Sequence, residues 1–294
     1  MINMSKDISS KLEPAQVEVL IDIVQMTSEL GFPFFVVGAT ARDIVFSAIF
    51  GIPPIQATLD IDLAIRVARW EDYQELRKRM LSNDRYKPDA SRKQRLIHRN
   101  GTLVDLIPFG SLEDPAGIIS WPPENDIVIR TVGFEEALRS SLDVIISHDP
   151  DVEVQVCTPP ALAVMKIISW SDKYPERTRD AQDLMFLMKH YIELGNQTRI
   201  WDGDSDILNE GNFDYEQASA RLLGRDIRKI MKDDTRNLVN AILERETNPD
   251  SQLRLVTDMA RARLEGAEEI LSLLTAMKKG ITETKGIEKH DAEH

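Results

Sequence analysis

Thr58-Leu59-Asp60-Ile61-Asp62-Leu63-Ala64-Ile65 reads as an apolar strand with two carboxylates at its start. Alternate side chains of a strand share a face, so Asp60 and Asp62 project together while Leu59, Ile61 and Leu63 face the core. Side by side, two carboxylates repel unless a proton or a cation lies between them, and burying them demands such a partner. Oxygen donors without His or Cys favour Mg²⁺ or Mn²⁺. A later strand, Leu103-Val104-Asp105-Leu106-Ile107-Pro108-Phe109, places one acid in an otherwise apolar run. Asp105 is either a third metal ligand and candidate general base, or the partner of one of the chain's arginines. Paired cations ~3.5–4 Å apart would activate an attacking hydroxyl and stabilise a leaving pyrophosphate.

Upstream lies Phe34-Phe35-Val36-Val37, a short buried strand, followed by Gly38-Ala39-Thr40-Ala41-Arg42-Asp43. A small-residue turn entering a helix leaves backbone N–H groups and a hydroxyl to meet phosphate oxygens. The Gly-x-x-x-x-Gly-Lys-Ser/Thr loop and the three-glycine dinucleotide fingerprint are both absent from the sequence. The turn also suits an ordinary strand-to-helix connection. Arg42 and Asp43 fall in the first helical turn, where Asp43 can cap the helix or pair with Arg42, and Asp43 is not assigned to a metal.

At 294 residues, with 42% hydrophobic and 29% charged residues, the chain suits two soluble domains. Its apolar runs are too short to span a bilayer and no signal-peptide pattern opens it, so a cytoplasmic location without membrane attachment is expected. The single cysteine, Cys157, suits a reducing compartment and a buried strand position. A net charge of −13 opposes diffuse binding to polyanions. One stretch departs from that balance: Arg85, Lys87, Arg92, Lys93, Arg95 and Arg99, with Asp89 the only acid among them. It is either a solvated hairpin or a phosphate-facing patch beside the site.

Periodicity predicts a helix over 14–30, opened by Pro14 and stopped by Gly31, and a second from Thr40 or Ala41 through Phe50. Strand 60–67, helix 70–81 and a hairpin about Asn100-Gly101 follow, then short strands at 126–132, 142–147 and 152–156 with a helix over 133–139. After Thr158-Pro159-Pro160 the pattern becomes helical, at 160–171, 176–194, 214–246 with breaks near Gly224 and Asp233, and 250–279. These elements define an α+β chain: a mixed-sheet domain over 1–157, a helical bundle over 158–279 and a disordered tail over 280–294. Residues 196–212 read as a linker. The acidic run Asp202 to Asp206 fails the calcium-loop pattern, because Ile207 stands where a glycine is required.

A strand ending in a small-residue turn, a helix, Thr-x-Asp-x-Asp and a later strand Asp together resemble the DNA polymerase β-type nucleotidyltransferase superfamily. Within it the chain is most similar to the AbiEii/AbiGii-type toxin nucleotidyltransferases. That narrower resemblance rests on Thr158-Pro159-Pro160-Ala161-Leu162-Ala163-Val164-Met165-Lys166 and on Arg179-Asp180-Ala181-Gln182-Asp183-Leu184. It implies a nucleotidyltransferase core followed by the helical domain. The catalytic set it implies is Asp60, Asp62, Asp105, Lys166 and Asp183, with Asp60, Asp62 and Asp105 on the metal. Its nucleotide-binding set is Gly38, Ala39, Thr40, Arg42, Thr58, Lys166 and Asp180, and either Asp180 or Asp183 is the supporting acid. Lys166 would neutralise a triphosphate. Ala39 departs from the Gly or Ser common at that position, which removes one hydroxyl from the turn.

The expected activity is Mg²⁺- or Mn²⁺-dependent transfer of a nucleoside monophosphate from NTP to tRNA or protein, as the toxin of a toxin–antitoxin pair with an antitoxin partner. A tRNA acceptor would lie along residues 85–99. The competing readings are a small-molecule nucleotidyltransferase of the aminoglycoside-modifying kind, whose cationic acceptor the acidic charge balance permits, and a noncatalytic nucleotide-binding module.

Overall fold

The computed structural model describes residues 6–53, 58, 60–208, 213–261 and 266–283. Its first compact unit runs to Lys173 and its second begins at Tyr174. The first contains β1 (Lys6–Asp7), α1 (Pro14–Leu30), β2 (Phe34–Val37), α2 (Gly38–Asp43, prolonged by a π-helical stretch, Ile44–Ile49) and β3 (Ile61–Val67). It continues through α3 (Trp70–Leu81), β4 (Tyr86–Pro88), β5 (Arg95–His98), β6 (Leu103–Gly110), β7 (Ile118–Ser120) and β8 (Val128–Arg130). Helix α4 (Phe134–Arg139), β9 (Leu142–His148), β10 (Asp151–Val156) and α5 (Pro159–Asp172) complete it. The second unit carries α6 (Thr178–His190), α7 (Tyr215–Ile230), α8 (Asp233–Thr247), α9 (Arg254–Ala260) and α10 (Ala267–Thr282).

Among the described residues eight strands form one mixed sheet in the order β1-β9-β10-β2-β3-β6-β5-β4, and β7 pairs with β8 in a separate two-stranded sheet. Strands β2 and β3 are antiparallel, β3 and β6 parallel, and β5 and β6 antiparallel. The central β3 is buried on both faces: Ile61, Leu63, Ala64 and Ile65 are all inaccessible. That explains its continuous apolar run after Asp62. Phe35, Phe109 and Phe134 pack edge-on around one another, joining β2 and β6 to α4.

Helix α1 begins with proline in its first turn and ends at Gly31 in the left-handed conformation, whose N–H closes onto Ser28 and Thr27. The expected boundary at 157 falls before α5, yet the compact unit includes that helix, because α5 packs on α2, α4 and β8. Helix α2 begins at Gly38 rather than at Thr40.

In the second unit, α7 passes through Gly224 without the expected break. A Cβ at Gly224 would overlap the Met277 carbonyl of α10, and one at Gly280 would overlap the Arg221 carbonyl of α7. The two glycines permit close helix contact, which overrides the low helix propensity of glycine. Within the tail expected from residue 280, Gly280 to Thr282 instead complete α10, and Glu283 accepts hydrogen bonds from Arg221 and Arg225. Residues 284–294 lie outside the described residues. The expected linker contains short 3₁₀ turns at Gln197–Ile200 and Ser205–Ile207, where Asp204 and Asp206 pair with Arg225; its residues 209–212 lie outside the described set.

Gly224→Ala is expected to cost about 1–3 kcal/mol through overpacking against α10. Calorimetric unfolding checks this, and a melting temperature equal to that of wild type would remove the packing explanation.

Candidate active site

The site is a row across four neighbouring strands. Val37 of β2 lies opposite Asp62 of β3, Asp62 beside Asp105 of β6, and Asp105 opposite Arg95 of β5. Strand register alone therefore brings the second and third expected acids together. Asp60 immediately precedes β3, and its side chain is 42% exposed. The Asp105 side chain is only 12% exposed. Leu59 lies outside the described residues, but Ile61 and Leu63 point into the core as the alternation requires.

Gly38 is needed here for two reasons. Its φ of 65° lies in the left-handed region, and a Cβ would overlap the Asp62 carboxylate. The turn therefore lays bare backbone directly over Asp62. Burial pushes the Asp62 pKa up to about 6, helped by the charges of Asp105 and Asp60 and opposed by Lys166 of α5 and Arg95.

Asp105 is held by Arg95 through two hydrogen bonds, Nε to Oδ1 at 2.8 Å and Nη2 to Oδ2 at 2.7 Å. The same guanidinium lies 3.5 Å from Asp60 Oδ2. The bond to Asp105 holds the Arg95 pKa above its ordinary value. Both Asp105 oxygens are thus engaged, so this arrangement does not present Asp105 as a free general base. Among the described residues no three His, Cys, Asp or Glu side chains converge closely enough to enclose a metal. The donor chemistry nonetheless fits a hard divalent cation: Asp60 and Asp62 are adjacent oxygen donors in a cluster whose mutual repulsion is only partly offset by Arg95 and Lys166.

Thr40, Arg42 and Thr58 serve the carboxylates indirectly. Thr40 is buried and donates its hydroxyl proton to the Asp60 carbonyl at 2.6 Å. Arg42, also buried, donates to Asp43 Oδ1 at 2.8 Å, while Asp43 Oδ2 accepts from Thr58 N–H at 3.1 Å. The Asp60 N–H in turn donates to the Thr58 hydroxyl at 3.3 Å. These bonds fasten the start of β3 to α2. The three side chains position Asp60, because buried backbone groups beside them require partners. Ala39 and Gly38 remain partly exposed on the turn.

Gly38, Asp60, Asp62, Asp105 and Lys166 all belong to the first unit. Asp180 and Asp183 lie near the start of α6 in the second, where Arg177 is 4.0 Å from Asp180. Arg95, absent from the expected site, is the counter-ion of Asp105 and lies against Asp60. The Asn100-Gly101 turn contained the signal, since residues 95 and 105 are equidistant from Asn100. The basic stretch is largely neutralised: Arg85 pairs with Asp22, Lys93 with Glu124 and Asp126, and Arg99 with Glu18. Among the described residues Lys87 and Arg92 alone in that stretch have no ion pair.

The family described as "Nucleotidyl transferase AbiEii toxin, Type IV TA system" matches residues 33–256, and the chain belongs to it. Similar solved structures include an antigenic nucleotidyltransferase-like protein from Paracoccidioides brasiliensis, 14% identical over 66% of this chain and 90% of that one, with a TM-score of 0.39. The antibiotic-resistance factor ANT(2'')-Ia is 12% identical over 67% of this chain and 97% of that one, with a TM-score of 0.35. A CCA-adding enzyme in complex with CTP is 16% identical over 93% of this chain and 70% of that one, with a TM-score of 0.33. No curated protein matches the chain. Among the described residues no helix is long and apolar enough to cross a membrane.

Asp62→Asn is expected to stabilise the protein in chelator. The wild-type carboxyl is neutral in the folded state below about pH 6 but ionises near 3.8 when unfolded. Its destabilising effect therefore grows as pH rises between those values and is constant above them. Near pH 7 the variant should melt several degrees higher, and the gain should disappear in acid near the ordinary carboxylate pKa. A lower melting temperature at neutral pH would contradict this reading of Asp62.

Proposed function

We propose that the protein transfers a nucleoside monophosphate from an NTP to an acceptor hydroxyl with the help of Mg²⁺ or Mn²⁺. The observation that carries the reading is the register of Asp62 against Asp105 on adjacent parallel strands, beneath Gly38 and within the electrostatic reach of Lys166. Asp60 and Asp62 would hold the cation, with Asp105 the third carboxylate. When bound, the cation supplies Lewis-acid neutralisation of phosphate charge.

The acceptor oxygen forms a bond to the α-phosphorus and gives up its proton to solvent water, while the bond from that phosphorus to the β-phosphate oxygen breaks. Pyrophosphate leaves with the electron pair. Lys166 neutralises charge on the triphosphate, and the bare turn at Gly38 lets the nucleotide approach Asp62. Thr40, Arg42 and Thr58 keep the Asp60 backbone in place. The family's description as the toxin of a type IV toxin–antitoxin system supports a toxin restrained by an antitoxin; tRNA or protein in the cytoplasm is the acceptor proposed with it.

Neutralisation of Arg85, Lys93, Arg95 and Arg99 favours a second reading, in which the acceptor is a small cationic molecule. Transfer to RNA should weaken with rising salt, whereas a small acceptor should not require Arg92.

Asp60→Ala and Lys166→Ala are each expected to lower kcat for transfer by about 10²-fold or more, the scale of lost electrostatic stabilisation at a phosphoryl centre. Single-turnover transfer from labelled NTP measures it. Wild-type rates in Asp60→Ala would remove the role given to the carboxylates.

A further inference from the structure

Arg95 stands against two of the three carboxylates that the proposed reaction gives to a cation. It takes both oxygens of Asp105 and approaches Asp60, while Asp62 lies on the strand beside Asp105. Its side chain is only 12% exposed, so water screens this contact weakly. The fixed fork of a guanidinium grips one carboxylate with two parallel bonds, a geometry that a lysine cannot reproduce.

The strand around Arg95 is anchored. Lys93 is tied to Glu124 and Asp126, and the Arg95 backbone is in register with Asp105. Freeing Asp105 therefore requires movement of the arginine side chain rather than of β5. The same fork matches two phosphate oxygens as well as it matches a carboxylate. A nucleotide entering beneath Gly38 thus offers Arg95 an alternative partner of the same geometry.

We propose that Arg95 is a positioning residue that competes with the divalent cation for Asp105 and Asp60, and that it passes to a nucleotide phosphate when the carboxylates take the cation. This rests on the cation-assisted reading of the site. Cation and nucleotide then bind cooperatively, because each removes an obstacle to the other.

The test uses the full chain, freed of metal by chelator and dialysis, and Mn²⁺ alone as the probe, with free Mn²⁺ followed by electron paramagnetic resonance. Arg95→Gln should bind Mn²⁺ about tenfold more tightly than wild type, and Arg95→Lys by an intermediate factor. Adding Asp105→Asn to Arg95→Gln should remove the gain. Equal or weaker binding by Arg95→Gln, with wild type still binding Mn²⁺, would overturn the competition alone. Failure of wild type and every variant to bind Mn²⁺ would overturn the cation-assisted reading itself. Stability supplies a second measurement if Arg95→Gln folds poorly. Millimolar Mg²⁺ should restore its melting temperature while shifting wild type little, because the cation replaces the missing guanidinium; no restoration would again overturn the competition.

Discussion

Asp62 and Asp105 are neighbours because β3 and β6 run parallel in a register that places one carboxylate beside the other. Asp60 adds a third negative charge at the start of β3, and Arg95 and Lys166 oppose the cluster. The surrounding elements can be understood as answers to that concentration of charge. Gly38 lacks a side chain so that the β2–α2 turn can lie on Asp62, Thr40 and Asp43 tie the segment before β3 to α2, and Arg95 closes the far side. A fold that held the acids apart would be easier to bury.

The balance of charges also separates two jobs that basic residues could do. Many cations in the stretch from Arg85 to Arg99 suggest a nucleic-acid surface, but most of them are committed to acids on α1, β6 and the segment around Glu124. They join parts of the first unit to one another. The acidic net charge of the whole chain is consistent with that use, since a basic segment in an acidic protein finds intramolecular partners before it finds a polyanion.

Much of this was legible in the sequence, for definable reasons. Pro14 and Gly31 mark the ends of α1 because one fixes φ and the other tolerates the left-handed stop. Period-two alternation placed Asp62 opposite the core-facing Ile61 and Leu63, and a lone acid in an apolar run marked Asp105. Arg95 was hidden because its importance depends on hairpin register, which one slip would reverse. The bonds by which Thr40, Arg42 and Thr58 hold the start of β3 were not legible, because a polar side chain near a turn can serve a ligand or a backbone group equally well. The sequence pattern does not show which partner is closer. Gly224 misled for a related reason: glycine breaks isolated helices, yet it is required where α7 meets α10 backbone to backbone.

The central claim is that the clustered carboxylates direct attack at the α-phosphorus of an NTP. Parallel reactions with the same NTP labelled at its α- or γ-phosphate, run with Mg²⁺ and cell RNA, protein or cationic small molecules, test it most directly. The account predicts label in the acceptor from the α position only, with the γ label recovered in pyrophosphate. Label in the acceptor from the γ position, without label from the α position, would show phosphoryl transfer of another class and contradict the account.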